Sequence, residues 1–146
     1  MKSFASKSLE DTREIAADFL TDISENREAA DSAYVTGLSG HLGSGKTAFT
    51  KLLAKVLGIR EEITSPTFVI MKIYSTKNEI FKRLVHIDAY RLERREELEA
   101  LQFEKIVSDP ANIVIIEWPE NVELKGGDLD AFLRFEIKDG AYTIAL

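Results

Sequence analysis

The chain has 146 residues, 45% hydrophobic and 30% charged, enough for a single domain, 1–146, with a buried core. A net charge of −6 argues against a broad nucleic-acid-binding face, so any action on RNA is expected to be indirect, through a partner. The absence of cysteine excludes disulfides and thiol chemistry and suits a cytoplasmic protein. No apolar run approaches the roughly 20 residues of a membrane span, and MKSFASKSLEDT lacks the apolar core of a secretion signal.

Residues 1–7 read either as a short edge strand or as a frayed start. Ser8-Leu9-Glu10-Asp11 has the form of a capping box, and Ile15, Ala16, Phe19, Leu20 and Ile23 make one apolar helical stripe, with Thr12 on the first turn. Polar residues 24–32 then connect to a strand at Ala33-Tyr34-Val35-Thr36.

The next stretch, GHLGSGKT from Gly40 to Thr47, matches the phosphate-binding pattern G-x-x-x-x-G-K-[ST] at each fixed position: Gly40, Gly45, Lys46 and Thr47. Its glycines allow backbone N–H groups to turn toward an anion, and the helix that follows adds positive potential. Candidate nucleotide contacts run through Gly40, His41, Leu42, Gly43, Ser44, Gly45, Lys46, Thr47 and Ala48. Lys46 suits the β- and γ-phosphates, and the Thr47 hydroxyl suits Mg²⁺. Phe49, Leu52, Leu53, Val56 and Leu57 form the apolar face of that helix, which stops at Gly58. Gly43, Gly45 and Ala48 also fit the dinucleotide fingerprint G-x-G-x-x-A, but that motif wants an apolar strand running directly into Gly43, which Gly40-His41-Leu42 does not supply.

Beyond Gly58, Pro66 stiffens a loop carrying the hydroxyls of Thr64, Ser65 and Thr67, candidates to orient a γ-phosphate or its water. Thr67–Tyr74 and Phe81–Asp88 read as an antiparallel pair of strands. Asp88 closes the second, where a carboxylate needs a cation, a water or a donor. Residues 90–108 are charged and helix-prone, with Leu98, Leu101 and Ile106 available to the core; Arg91, Arg94 and Arg95 are candidates to stabilise charge in phosphoryl transfer. Ile113-Val114-Ile115-Ile116 reads as a strand buried on both faces, and Glu117 ends it where ligands of open α/β sheets bind, which makes it a candidate for the Mg²⁺ shell. Trp118 is read as core filler, as the anchor of the following loop or as a contact for a partner. Alternation around Asp139-Gly140 predicts a closing hairpin, in which nothing is chemical.

GHLGSGKT, TSPTF (64–68), HIDAYRL (86–92) and IEWPE (116–120), in this order, resemble the TsaE family, formerly YjeE, small ATPases of tRNA threonylcarbamoyladenosine synthesis. The resemblance implies a P-loop NTPase-like three-layer αβα sandwich with a mixed central sheet and antiparallel hairpins. It implies ATP and Mg²⁺ as cofactors, with Lys46 on the phosphates and Thr47 and Glu117 on the metal. Asp88 would serve the hydrolytic centre or the nucleotide, the Ser65–Thr67 loop would sense the γ-phosphate, and Thr12 would lie near the adenine. Hydrolysis would be weak alone and coupled to TsaB-like and TsaD-like partners. His41 stands where the family pattern generally carries Asp or Glu. Two other readings of the same loop are a non-hydrolytic nucleotide switch and a small-molecule kinase. Asp88 and Glu117 both remain open as the group that positions the water.

Overall fold

A computed structural model describes residues 3–25, 27–64, 70–138 and 141–145. Its strands are β1 (Ser3–Ser6), β2 (Tyr34–Ser39), β3 (Met71–Ser75), β4 (Arg83–Asp88), β5 (Asn112–Glu117), β6 (Ala131–Lys138) and β7 (Ala141–Ala145). The helices are α1 (Leu9–Ser24), α2 (Lys46–Val56), α3 (Glu96–Glu99) and α4 (Phe103–Val107). One seven-stranded sheet runs in the order β1-β7-β6-β2-β5-β4-β3. Its centre is parallel, with β2 paired to both β6 and β5, and β5 paired to β4. Antiparallel pairs β3–β4, β6–β7 and β1–β7 complete both sides.

Period-2 alternation divides the core between two faces. Leu38, Leu84, Ile113, Ile115, Leu133 and Phe135 pack with α1 and α2, while Val35, Val85, Ile87, Val114 and Ile116 pack with residues from α3, α4 and 118–124. Every residue of β5 is buried, as its unbroken apolar run predicts. The expected three-layer α/β architecture is the one observed.

Local chemistry sets the long helices. Ser8 caps α1 by accepting from Asp11 N at 3.1 Å, and Asp11 Oδ2 reaches back to Lys7 N at 2.9 Å, one residue beyond the expected capping box. Phe49, with no exposed surface, meets Phe19 and Phe135 edge-on at 5.8 and 5.7 Å, locking α2 to α1 and the sheet. Gly58 takes a φ of +81° just beyond α2, as a helix stop does.

Several boundaries differ from expectation. The strand before the phosphate-type loop runs to Ser39, because its backbone stays paired to β5 and β6 on either side. The helix-prone segment 90–108 forms two short helices, broken at Gln102 with φ +59°, since tertiary packing of Leu98, Leu101 and Phe103 outweighs propensity there. The undecided N-terminus is edge strand β1, held by β7. The tail does form an antiparallel hairpin, but its first strand joins the centre of the sheet in parallel with β2. Residues 139 and 140 of its turn lie outside the described residues, as does most of the expected strand start at 67–70. Among the described residues no helix is long and apolar enough to cross a membrane.

Candidate functional site

Three neighbouring parallel strands end on one side of the sheet, at Ser39, Asp88 and Glu117. In an open α/β sheet this carboxyl edge is where ligands bind. The chain leaves β2 through Gly40–Gly45 and turns back as α2. Gly40, Gly43 and Gly45 have φ values of +147°, +78° and +106°, a conformation unfavourable for residues with a Cβ. At Gly40 a Cβ would also stand 2.5 Å from Phe135 O and 2.8 Å from Ser44 Oγ, so the loop lies against β6 with no room for a side chain. Gly43 meets nothing within 4 Å and forms the open lip of the loop. Gly45 caps α2 without a side-chain hydrogen bond, leaving the positive end of the helix to the cavity beyond. β2 ends at Ser39 and not at Gly43, so the dinucleotide reading lacks its strand.

This cavity, about 390 Å³, is lined by Leu42, Gly43, Gly45, Lys46, Thr47, Ala48, Asp88, Tyr90, Arg91, Glu117 and Trp118. Most of the separately read candidates therefore converge on one place. Lys46 is 5% exposed; its Nζ donates to Gly40 O and, at 3.1 Å, to His41 O, and it lies 4.6 Å from the centre of the Trp118 ring. Burial pushes the Lys46 ammonium below its usual range, and the Glu117, Asp88 and Glu120 carboxylates oppose that shift.

Asp88 and Glu117 face each other across the β4–β5 register on the side of the sheet covered by α2. Burial raises the Asp88 carboxyl, while the Tyr90 amide, donating to Oδ1 at 3.0 Å, holds it down and nearby Glu117 raises it again. Glu117 is deeper, at 3% exposed, and its Oε2 lies 2.9 Å from His86 Nε2. The two carboxylates thus differ physically: one is half-buried at the mouth, the other sits inside and is engaged by a ring.

Trp118 packs against the second core face and its backbone ties the following loop to β2, so it is both a core contact and a loop anchor. With φ +59° its ring also lies over Lys46 and meets the Tyr90 ring in a tilted contact at 5.2 Å, while its amide donates to Leu38 O at 3.0 Å. Asn121 secures the segment that carries Tyr90, its Nδ2 donating to Ala89 O at 3.1 Å and Tyr90 O at 3.0 Å. Sequence reading missed Tyr90, Asn121 and His86. Only His86 left a signal, as a polar residue inside an apolar strand two positions before Asp88 and hence on the same face.

A second cavity, of about 320 Å³, shares Gly45 and Ala48 with the first and is bounded by Lys7, Ser8, Leu9, Thr12, Phe135 and Ile144. Thr12 therefore lines the adjoining cavity, though its Oγ1 is engaged with Ser6 Oγ at 2.5 Å. The tail, expected to be chemically silent, supplies Phe135 and Ile144 to this wall. Of the proposed arginines, Arg91 lines the larger cavity, whereas Arg95 pairs with Asp128 at 3.2 Å. Thr64 Oγ1 accepts from Lys72 Nζ at 2.5 Å, and Ser65 and Thr67 lie outside the described residues. His41 and Leu42 are exposed on the outer turn of the loop, whereas Ser44 is buried beneath it.

Fold and loop together define a P-loop NTPase-like α/β protein. The profile of the family described as "Threonylcarbamoyl adenosine biosynthesis protein TsaE" matches residues 6–143, and the chain belongs to that family. Relatives named tRNA threonylcarbamoyladenosine biosynthesis protein TsaE include that of Streptomyces coelicolor, 43% identical over 57% of this chain and 55% of the relative. That of Borreliella burgdorferi is 47% identical over 57% of this chain and 58% of its own length. That of Bacillus subtilis is 39% identical over 61% of this chain and 52% of the relative. The matched stretch thus spans little more than half of these relatives. The solved structure titled as Bacillus subtilis YdiB superposes with a TM-score of 0.65 at 26% identity, covering 98% of this chain and 82% of that one.

Proposed function

We propose that this protein binds ATP with Mg²⁺ and hydrolyses it in support of threonylcarbamoyl formation on adenosine-37 of tRNAs. Hydrolysis would be slow alone and faster with TsaB-like and TsaD-like proteins, which would carry the contact with tRNA. The observation that carries this reading is the meeting of a buried Lys46 with Asp88 and Glu117 at the strand ends, beside a glycine loop and an uncapped helix N-terminus.

Oxygen donors on the cavity wall fit a hard cation. Thr47 and Glu117 would hold Mg²⁺, with Asp88 as the alternative carboxylate. Among the described residues no group of three or more acidic or histidine side chains is placed to hold a metal alone, so the phosphates would complete the shell. Bound Mg²⁺ would stabilise the charge that develops on the phosphoryl oxygens. Lys46 would exchange the carbonyls of Gly40 and His41 for the β- and γ-phosphates, adding anionic contacts that offset the desolvation of its ammonium. Asp88 or Glu117 would orient the attacking water, and Arg91 stands on the same wall to face developing charge. The second cavity, entered past Gly45 and Ala48, would take the adenine beside Thr12.

The test is ATP hydrolysis by purified protein, alone and with the two partner proteins, with and without tRNA. Lys46→Ala and Glu117→Ala are both expected to abolish the partner-stimulated rate; full activity in either variant refutes its assigned role. A hydrolysis-dead variant that still binds ATP and supports multi-turnover modification would replace the hydrolytic reading with a nucleotide switch.

A further inference from the structure

His86 is a buried titratable side chain that the mechanism above leaves unused. It lies in β4, opposite Ile115 in register and on the same face as Asp88, with no exposed surface. Its Nε2 is 2.9 Å from Glu117 Oε2, placed to donate to that carboxylate in the tautomer that carries the proton on Nε2. Its Nδ1 is buried with no partner among the described residues. Burying a ring nitrogen without a partner costs stability, so packing alone does not account for histidine here. Among the described residues, its single polar contact is with a residue of the candidate site.

We propose that His86 is the positioning residue of Glu117. The terminal torsion of a glutamate is broad, so an unsupported carboxylate samples many orientations. A donor fixed in the sheet selects one of them, holding Oε2 and leaving the second oxygen for the cavity that Glu117 lines, where the metal-bearing triphosphate would sit. The inference rests on the nucleotide reading of the cavity. Removing an outer partner of a ligating group typically costs ten- to a hundredfold in metal affinity or activity.

The test titrates ATP, with and without Mg²⁺, into the wild type, His86→Leu and His86→Gln, following the fluorescence of Trp118, the sole tryptophan. Partner-stimulated kcat and KM are measured alongside. His86→Leu is expected to bind metal-free ATP as the wild type does, yet to lose about tenfold or more of the affinity gained with Mg²⁺, and a similar factor in kcat. His86→Gln, whose amide can donate from a similar point, is expected to recover most of both. Equal Mg²⁺-dependent affinity in wild type and His86→Leu overturns the proposal, as does an equal loss with and without metal. Should His86→Leu not fold, ¹⁵N-histidine spectra of the wild type decide, since only His41 and His86 contribute. The buried Nε2 resonance must move when Mg²⁺ joins the ATP complex, and an unmoved signal overturns the proposal. A wild type that takes up no ATP refutes the nucleotide reading along with it, whereas Mg²⁺-dependent uptake indifferent to His86→Leu refutes this inference alone.

Discussion

Gly40→Ala is the sharpest perturbation of the loop that shapes the cavity. Two independent costs meet there. A φ of +147° lies in a region open essentially to glycine, worth about 1–3 kcal/mol for alanine. The new Cβ would also lie 2.5 Å from Phe135 O, a backbone atom of β6 that cannot rotate away, and such overpacking costs about 1–3 kcal/mol. Together they destabilise the chain by about 2–6 kcal/mol, which for a domain near 150 residues lowers Tm by about 5–20 °C. Gly43→Ala is the control. With φ +78° and nothing within 4 Å it carries the backbone cost alone, about 1–2 kcal/mol, or about 2–8 °C. Thermal unfolding followed by circular dichroism compares the pair, with ATP titration of whatever remains folded. Gly40→Ala melting with the wild type, or Gly43→Ala costing as much as Gly40→Ala, would refute the reasoning.

Burial raises the Asp88 carboxyl in the folded protein, so the folded state holds that proton more tightly than the unfolded chain. This group accordingly favours folding below its unfolded value and costs stability as pH rises through its folded value. Asp88→Asn, which keeps the Oδ1 acceptor for Tyr90 N, should be the more stable protein at neutral pH, with the gap closing in acid; denaturant midpoints at pH 7 and pH 3.5 check this. Arg95→Ala should cost less than about 1 kcal/mol and leave partner-stimulated hydrolysis unchanged, because its pairing with Asp128 is exposed and lies apart from the cavity lining. Arg91→Ala should lower that rate, and the reverse ranking in one hydrolysis assay would reassign the arginine. Phe49→Ala should cost about 3–5 kcal/mol by opening the contact of α2 with Phe19 and Phe135, measured by urea unfolding.

The legible parts of this chain were those carried by local pattern. Gly45 and Lys46 start a helix whose apolar spacing is plain, and residues 113–116 are apolar without interruption because both faces of β5 are covered. Asp88 and Glu117 could be read as carboxylates at strand ends. Their separation into a half-buried mouth group and an interior group engaged by His86 could not, since it depends on the β4–β5 register. The helix-prone reading of residues 90–108 holds only for two short helices, for a related reason. Propensity is local, while the break at Gln102 answers to side chains packed beneath it.

By itself the sequence determined that a glycine loop with a lysine and a hydroxyl leads into an amphipathic helix of an α/β domain, because backbone freedom, helix periodicity and strand burial are properties of adjacent residues. Tertiary structure alone decided that β6 enters beside β2, placing Phe135 against Gly40 and on the wall beside Thr12. It alone set Trp118 over Lys46 and His86 against Glu117. Those contacts join segments far apart in the chain, and strand order and register, which no short window of residues encodes, bring them within reach.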